Sequence, residues 1–228
     1  MDLEALGLTL RLALSTTVIL LLVGLPLAWW IATGKGVGRA FVQALVALPL
    51  VLPPTVIGFY LLVSLGPLTL PGRALIWLLG HPLAFSFEGL LLGSILYSLP
   101  FAVQPLVAGF SAVDREYIEA AEGLGAKPWQ VLLTVVLPMT RASLITSAVL
   151  AFTHTVGEFG VVLMLGGNIP GATRTLSISL YDLVEDGNYA AANQTALVLI
   201  AFSILALMAI YLLPSVRRAD GRQANIVR

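Results

Sequence analysis

Residues 111–142, SAVDREYIEAAEGLGAKPWQVLLTVVLPMTRA, are the longest polar stretch between two apolar runs, and their reading orders the rest of the chain. Ser111 followed three residues later by Asp114 is a capping pattern, and an acid there suits the positive end of a helix dipole. Tyr117, Ala120, Ala121 and Leu124 then recur at i, i+3, i+4 and i+7, which gives one narrow apolar stripe. Gly123 and Gly125 end it, Pro128 suits the first turn of a following helix, and Pro138 begins or kinks the next. A helix of about a dozen residues is marginal in water by itself, so this one needs a surface to lie on. Two alanines leave a slim ridge fit for a cleft, with Glu119 and Glu122 placed to meet cations at its rim. The alternative, a helix lying on lipid headgroups, favours Lys and Arg on the polar face, and here that face is mainly acidic.

Outward from this stretch the chain is apolar. Of 228 residues 58% are hydrophobic and 11% charged, against roughly 25% charged in soluble domains, and the mean hydropathy is +0.96. The expected solvent is a bilayer. About 20 apolar residues cross its hydrocarbon core, so charge-free windows act as a ruler. Residues 12–34, 40–72, 89–113 and 187–216 contain no Asp, Glu, Lys or Arg, and 142–173 contain only Glu158. These predict an all-α polytopic bundle forming a single transmembrane domain over 1–228. Five spans are expected, near 8–32, 42–64, 89–110, 142–165 and 193–214, with a cytoplasmic loop at 111–141 and room for a sixth short span.

Cations accumulate in cytoplasmic loops. Placing 33–41, 111–141 and 215–228 inside puts Lys35, Arg39, Arg115, Lys127, Arg141, Arg217, Arg218, Arg222 and Arg228 there, leaving Arg11, Arg73 and Arg174 outside. The N-terminus is therefore expected outside and the C-terminus in the cytoplasm. Met1-Asp2-Leu3-Glu4 is acidic where a secretory signal is basic, so the first segment is expected to remain in the mature protein. Pro26, Pro49, Pro53, Pro54, Pro100 and Pro105 break the spans, and such breaks persist in lipid only against neighbouring helices or a watery cavity. Gly89 with Gly93, and Gly157 with Gly160, suit close helix contact, although ordinary small residues of a membrane helix read the same way. Short helices are expected at 73–79 and, from the spacing of Leu176, Leu180, Leu183 and Val184, across 174–185.

Several classes are excluded locally. The net charge is zero, so no basic field exists to hold nucleic acid, and with no cysteine there is no disulfide or thiolate metal site. Gly34-Lys35-Gly36 and Gly125-Ala126-Lys127-Pro128 lack the G-x-x-x-x-G-K-[ST] phosphate cradle, so energy has to come from another chain. No G-x-S-x-G elbow is present. His81 and His154, 73 positions apart, read as satisfied histidines rather than a base or a metal site.

The residues of the polar stretch carry a resemblance. Glu119-Ala120-Ala121, three residues, Gly125, nine residues, Val135, one residue and Leu137-Pro138 resemble the EAA loop of bacterial ATP-binding-cassette (ABC) importer permeases, with Val135 where that pattern usually has Ile. The runs LPLVLPPTVIGFYLLVSLG (48–66) and VGEFGVVLMLGGNIPGATRTLSISLY (156–181) are similar to the molybdate permease branch, close to the sulfate and tungstate permeases. The likeness covers most of 8–214. It implies the type I importer permease fold in the plasma (inner) membrane and a coupling helix near 114–127 that docks on an ATPase. The coupling residues it implies are Asp114, Arg115, Tyr117, Glu119, Ala120, Ala121, Glu122, Gly125, Ala126, Lys127 and Pro138. It further implies a second permease copy, two cytoplasmic ABC ATPase subunits holding ATP and Mg, and an external oxyanion-binding protein. No cofactor is expected on this chain, which is then a non-catalytic transport subunit.

The chemistry agrees with an anion path. A dianion in transit needs dipoles and hydroxyls, since a deep fixed cation would hold it too tightly. No Lys or Arg falls in the centre of any expected span, while Thr55, Ser64, Ser94, Ser98, Ser143, Thr146, Ser147, Thr153 and Thr155 offer hydroxyls. Each of these can instead bond its own backbone. The expected path and gate comprise Thr153, Thr155, Gly157, Glu158, Phe159 and Gly160, with Asn168, Pro170 and Gly171 in an external loop beside the gate. Glu158 is odd on an anion pathway; a structural role, with hydroxyls or backbone N–H groups holding it, is preferred over a proton relay, for which no second buried acid or base is evident. A channel or secondary carrier is the rival class, and the repeats and buried charged pairs common in carriers are missing.

Overall fold

Proline chemistry decides where the second apolar run turns. In the computed structural model, which describes residues 2–212, Pro53 is extended (φ −56°, ψ 137°), as a residue preceding a proline must be, and a new helix starts at Pro54. The helices in order are α1 (Leu3–Thr33), α2 (Val37–Ala47), α3 (Pro54–Ser64), α4 (Leu70–Leu79), α5 (Phe87–Ser111), α6 (Arg115–Gly123), α7 (Pro128–Val131), α8 (Leu137–Met139), α9 (Arg141–Val156), α10 (Gly160–Gly166), α11 (Leu176–Glu185) and α12 (Tyr189–Tyr211). A 3₁₀ turn, Leu48–Leu50, closes α2, and a π-helical turn, Leu132–Val136, joins α7 to α8. No strand occurs among the described residues.

Among the described residues three helices, α1, α5 and α12, are long and apolar enough to cross a membrane singly, and two bent helix pairs bring the number to five if each is one span. Val37–Leu50 meets Pro54–Ser64 at 109°, and Pro128–Met139 meets Arg141–Val156 at 84°. The expected span at 42–64 is broken at Pro53-Pro54, among the prolines marked as breaks in the sequence. The fourth expected span also differs, because its helix stops at Val156 and resumes at Gly160. Arg217, Arg218, Arg222, Arg228, the C-terminus expected in the cytoplasm and the last two residues of the fifth expected span lie outside the described residues.

Three helices make the spine: α1 lies along α5, and α9 crosses both. Asp2 caps α1 by accepting from the Ala5 N–H at 2.9 Å, and the 31 residues that follow reach about 46 Å, beyond the ~30 Å of hydrocarbon. The core fills in tiers. Leu12, Leu90, Val162 and Ile178 form one end; Leu20, Ala102 and Ala151 the middle; Ala28, Ile31, Val103, Leu106, Phe110, Val131 and Val136 the other. Burying an aliphatic side chain of this size stabilises by about 1.5–3 kcal/mol relative to leaving it in water.

Glycine sets one close approach. A Cβ on Gly93 would lie 2.6 Å from Leu165, and one on Gly58 2.7 Å from Met164, so α3 and α5 both seat against α10 at glycine. Gly160 lies against Pro54, whereas Gly89 faces only the Leu83 backbone of its own turn and Gly157 meets only preceding carbonyls of α9. One member of each expected glycine pair therefore makes a helix contact.

The outer helix α11 is tied down at its start. Thr175 caps it, and the Leu176 N–H donates to Thr9 Oγ1 of α1 at 2.8 Å, both groups being buried. Leu176 and Ile178 are buried while Val184 is exposed, so the packed face is rotated from the expected stripe. The helix expected at 73–79 begins earlier, at Leu70, because Thr69 accepts from the Gly72 N–H and so caps it.

Candidate functional site

Two places bring the singled-out residues together. The first is the polar knob after α5. That helix runs through Ser111, so Ser111 cannot cap the next one; Asp114 occupies the N-cap position and its side chain makes no capping bond. Between them Val113 is buried and anchors the turn.

Helix α6 is two-faced. Ile118 and Ala121 pack on the tier containing Phe110 and Val131, and Ala126 joins them. Tyr117 is 54% exposed and Leu124 90% exposed, with Ala120 open between them. The helix closes with the Leu124 N–H donating to Ala120 O and the Ala126 N–H to Ala121 O, which requires Gly125 at φ +87°. The Lys127 N–H then donates to Gln130 Oε1 at 2.8 Å, Pro128 opens α7, and Val131 is buried beneath it. Asp114, Arg115, Glu119, Glu122 and Lys127 are all exposed, and Arg115 pairs with Glu119 at 4.0 Å in full solvent. Pro138 lies in α8, below the 84° bend that leads into α9. Because Pro138 has no N–H, the turn before it widens to π geometry.

The second place is a cleft of about 510 Å³ at the α9–α10 break. Pro54 and Thr55 line it from α3, Tyr97 from α5, Thr153 and His154 from α9, Gly157, Glu158 and Phe159 from the break itself, and Gly160, Leu163 and Met164 from α10. The walls are mostly apolar and the polar groups few. Thr155 is turned away: its hydroxyl donates to Ala151 O at 2.9 Å and meets Ser98 at 3.0 Å inside the α5–α9 contact. His154 Nδ1 lies 2.9 Å from Ser98 Oγ, and its ring stacks on Phe101 with centroids 3.9 Å apart. The histidine is satisfied, as expected, yet its ring also faces the cleft.

Glu158 is 4% exposed, and among the described residues neither carboxyl oxygen makes a well-formed hydrogen bond, although the Ser94 hydroxyl of α5, a group of the expected kind, lies beside it. The hydroxyls of Ser94, Ser147 and Thr153 are likewise buried without a partner. Ser64 bonds back to Leu61 O in its own helix. Of the nine hydroxyls singled out, only Thr55 and Thr153 line the cleft.

Asn168, Pro170 and Gly171 are elsewhere, in the loop before α11. Asn168 donates to Asp182 and accepts from Arg174 Nε, both at 2.6 Å, and Arg174 lies 3.6 Å from Asp182. Thr173 braces the loop by donating to Gly166 O at 2.6 Å and accepting from the Ile169 N–H. Gly171, at φ +74°, passes beside Glu4 of α1.

Tyr97, Leu163 and Met164 were not singled out by the sequence, whereas Pro54 was marked as a break that faces a helix or a cavity and does line the cleft. Leu163 and Met164 continue the spacing of Thr153, Gly157 and Gly160 at three and four residues, a signal available in principle. Tyr97 arrives by tertiary packing and carries no such mark.

A helical bundle with two bent crossings, a cytoplasmic-type knob and a cleft at a broken helix is the architecture of type I ABC importer permeases. The chain belongs to the family described as binding-protein-dependent transport system inner membrane component, whose pattern matches residues 24–218. It is 51% identical over 210 residues to the molybdenum transport system permease protein ModB of Azotobacter vinelandii, covering 92% of this chain and 93% of that one. It is 34% identical over 206 residues to ModB of Escherichia coli K12, covering 90% of each. The sulfate transport system permease protein CysT of the same organism is 33% identical over 194 residues, 84% of this chain and 69% of that one. Among solved structures, a bacterial ABC transporter involved in the import of alginate shares the fold with a TM-score of 0.70 at 19% identity, over 93% of this chain and 79% of that chain. The MetNI methionine ABC transporter gives 0.69 at 18% identity, over 92% and 93%. The chain is thus a multi-pass inner-membrane permease component.

Proposed function

We propose that this chain is the membrane-spanning subunit of an ABC importer that carries molybdate into the cell. The observation that carries the reading is the 51% identity to a molybdenum permease, sustained over more than nine-tenths of both chains. The cleft is compatible: its polar lining offers hydroxyls and no Lys or Arg, so a dianion meets dipoles that pass it on rather than a charge that traps it. Two copies of the chain enclose the path, with the N-terminus outside and the C-terminus in the cytoplasm.

Two ABC ATPase subunits, which hold ATP and Mg, dock on α6 from the cytoplasm, and an external binding protein delivers the anion. The chain itself binds no cofactor. The exposed stripe of Tyr117, Ala120 and Leu124, flanked by Glu119 and Glu122, is the docking ridge. Its other face, through Ile118 and Ala121, is embedded in the tier shared by α1, α5 and α7, so a push on α6 is delivered to the spine. Sulfate is the second reading, favoured by the likeness to the sulfate permease.

The test is uptake by proteoliposomes containing the permease, its ATPase and the binding protein, with molybdate, tungstate and sulfate in competition. Molybdate uptake that stops when ATP is removed is the expected result. Uptake that continues without ATP overturns the importer reading, and uptake of sulfate in preference to molybdate overturns the choice of anion.

A further inference from the structure

The α9–α10 break holds a buried carboxyl group that makes no well-formed hydrogen bond and has no charge partner. Glu158 lines the cleft, is 4% exposed, and both of its oxygens are buried and unpartnered among the described residues. An ionised carboxylate taken out of water without a cation loses several kcal/mol of hydration, and the neutral hydroxyl of Ser94 beside it offsets only part of that. No Lys, Arg or Asp lines the cleft; the titratable groups facing Glu158 are Tyr97 of α5 and His154 of α9, while α3 and α10 contribute none. His154 is committed to Ser98 at 2.9 Å.

Thr153 makes the same point from a neighbouring position. Thr9, Thr17 and Thr155 all donate to the carbonyl four residues back in their own helices, whereas the Thr153 hydroxyl is buried and does not. Two polar side chains of one segment thus face the cleft without a partner in the chain. A carboxyl without a charge partner is accommodated in its neutral form, and a neutral carboxyl owns an O–H. A fully ionised tetrahedral oxyanion offers acceptors only, so every group that greets it has to donate.

Resting on the oxyanion reading given above, we propose that Glu158 carries its proton and serves the path as a hydrogen-bond donor to the transported anion, with Thr153 as the second donor. The arrangement gives a dianion directed contacts without a fixed positive charge. It also explains how an acidic residue stands on an anion pathway: in the neutral form it attracts, and only the ionised form repels.

The complete transporter in proteoliposomes, supplied with molybdate, separates the alternatives. Glu158→Gln keeps an N–H donor in the same place without charge, and uptake stays within about threefold of the parent. Glu158→Ala loses the donor, and uptake falls about tenfold or more while the complex still assembles. Infrared difference spectra supply a direct readout: the carbonyl stretch of a protonated carboxyl is present in the parent, absent in Glu158→Gln, and shifts when molybdate is added. Loss of uptake in Glu158→Gln equal to that in Glu158→Ala overturns the proposal, as does parental uptake in Glu158→Ala. If Glu158→Ala does not assemble, Glu158→Gln and the infrared band decide. A parent complex that imports no oxyanion fails the functional reading instead; there, a band without an anion-induced shift overturns the donor role separately.

Discussion

Helices α6 and α11 are nearly the same length, nine residues and ten, and both are too short to stand alone in water, yet they solve that problem in opposite ways. In α11 the cap is made by Thr175, the first free N–H is taken by Thr9 from another helix, and Leu176 and Ile178 are at most 1% exposed. In α6 the cap position makes no side-chain bond, and Tyr117 and Leu124 remain in the open. The outer helix is finished within its own chain. Helix α6 has apolar surface left over, and on the proposed function that surplus is what the ATPase covers.

The contrast is broken most severely by substitution at Gly125. Its φ of +87° is costly for any side chain, by about 1–2 kcal/mol, and the turn it makes fixes the end of α6. Gly125→Trp is expected to abolish copurification of the ATPase and transport while membrane insertion persists, as read by pull-down and membrane fractionation; normal copurification would remove α6 from the docking role. Thr9→Val probes the opposite helix. It leaves the buried Leu176 N–H without an acceptor, which costs about 1–3 kcal/mol. The melting temperature of the purified complex should fall by several degrees while ATPase association is retained; unchanged melting would show that α11 does not depend on α1. The smallest effect belongs to Arg115→Gln. The 4.0 Å contact with Glu119 lies in full solvent, so thermal melting should not move measurably, and a clear loss of stability would mean that the pair is structural.

How far the sequence carried differs between the same two places. The α6 knob was readable because its signals are local: the stripe from Tyr117 to Leu124, the glycine at 125 and Pro128 at the start of the next helix all act within a few residues. Two local readings there fail: Ser111 is no cap, because α5 runs one residue past the expected end of its span at 110, and Ala121 packs inward with Ile118 rather than in the open stripe. The cleft was only half legible. Thr153, Gly157, Glu158, Phe159 and Gly160 lie together because they are neighbours in the chain, but Thr55 joins them only because Pro53-Pro54 turns α3 through 109° and lays it against α10, and Tyr97 only because α5 packs on α9 and α10. A charge-free window cannot register that turn, since Pro53 and Pro54 are as uncharged as the leucines around them. Hydroxyls were over-read for a related reason. Thr155 and Ser64 satisfy themselves within one helical turn, which composition does not distinguish from facing a cavity.

The last crossing has a practical consequence. Of α12 only Ala192, Thr195 and Ile210 are buried, while Leu197, Ile200, Ile204, Leu205 and Met208 stand more than half exposed or close to it. Little in the protein itself fixes where this helix lies, so the lipid around it does much of that work. Exchange of native lipid for a short-chain detergent should loosen α12 before any other crossing, and a preparation held in a lipid nanodisc is the form in which its position is faithfully kept.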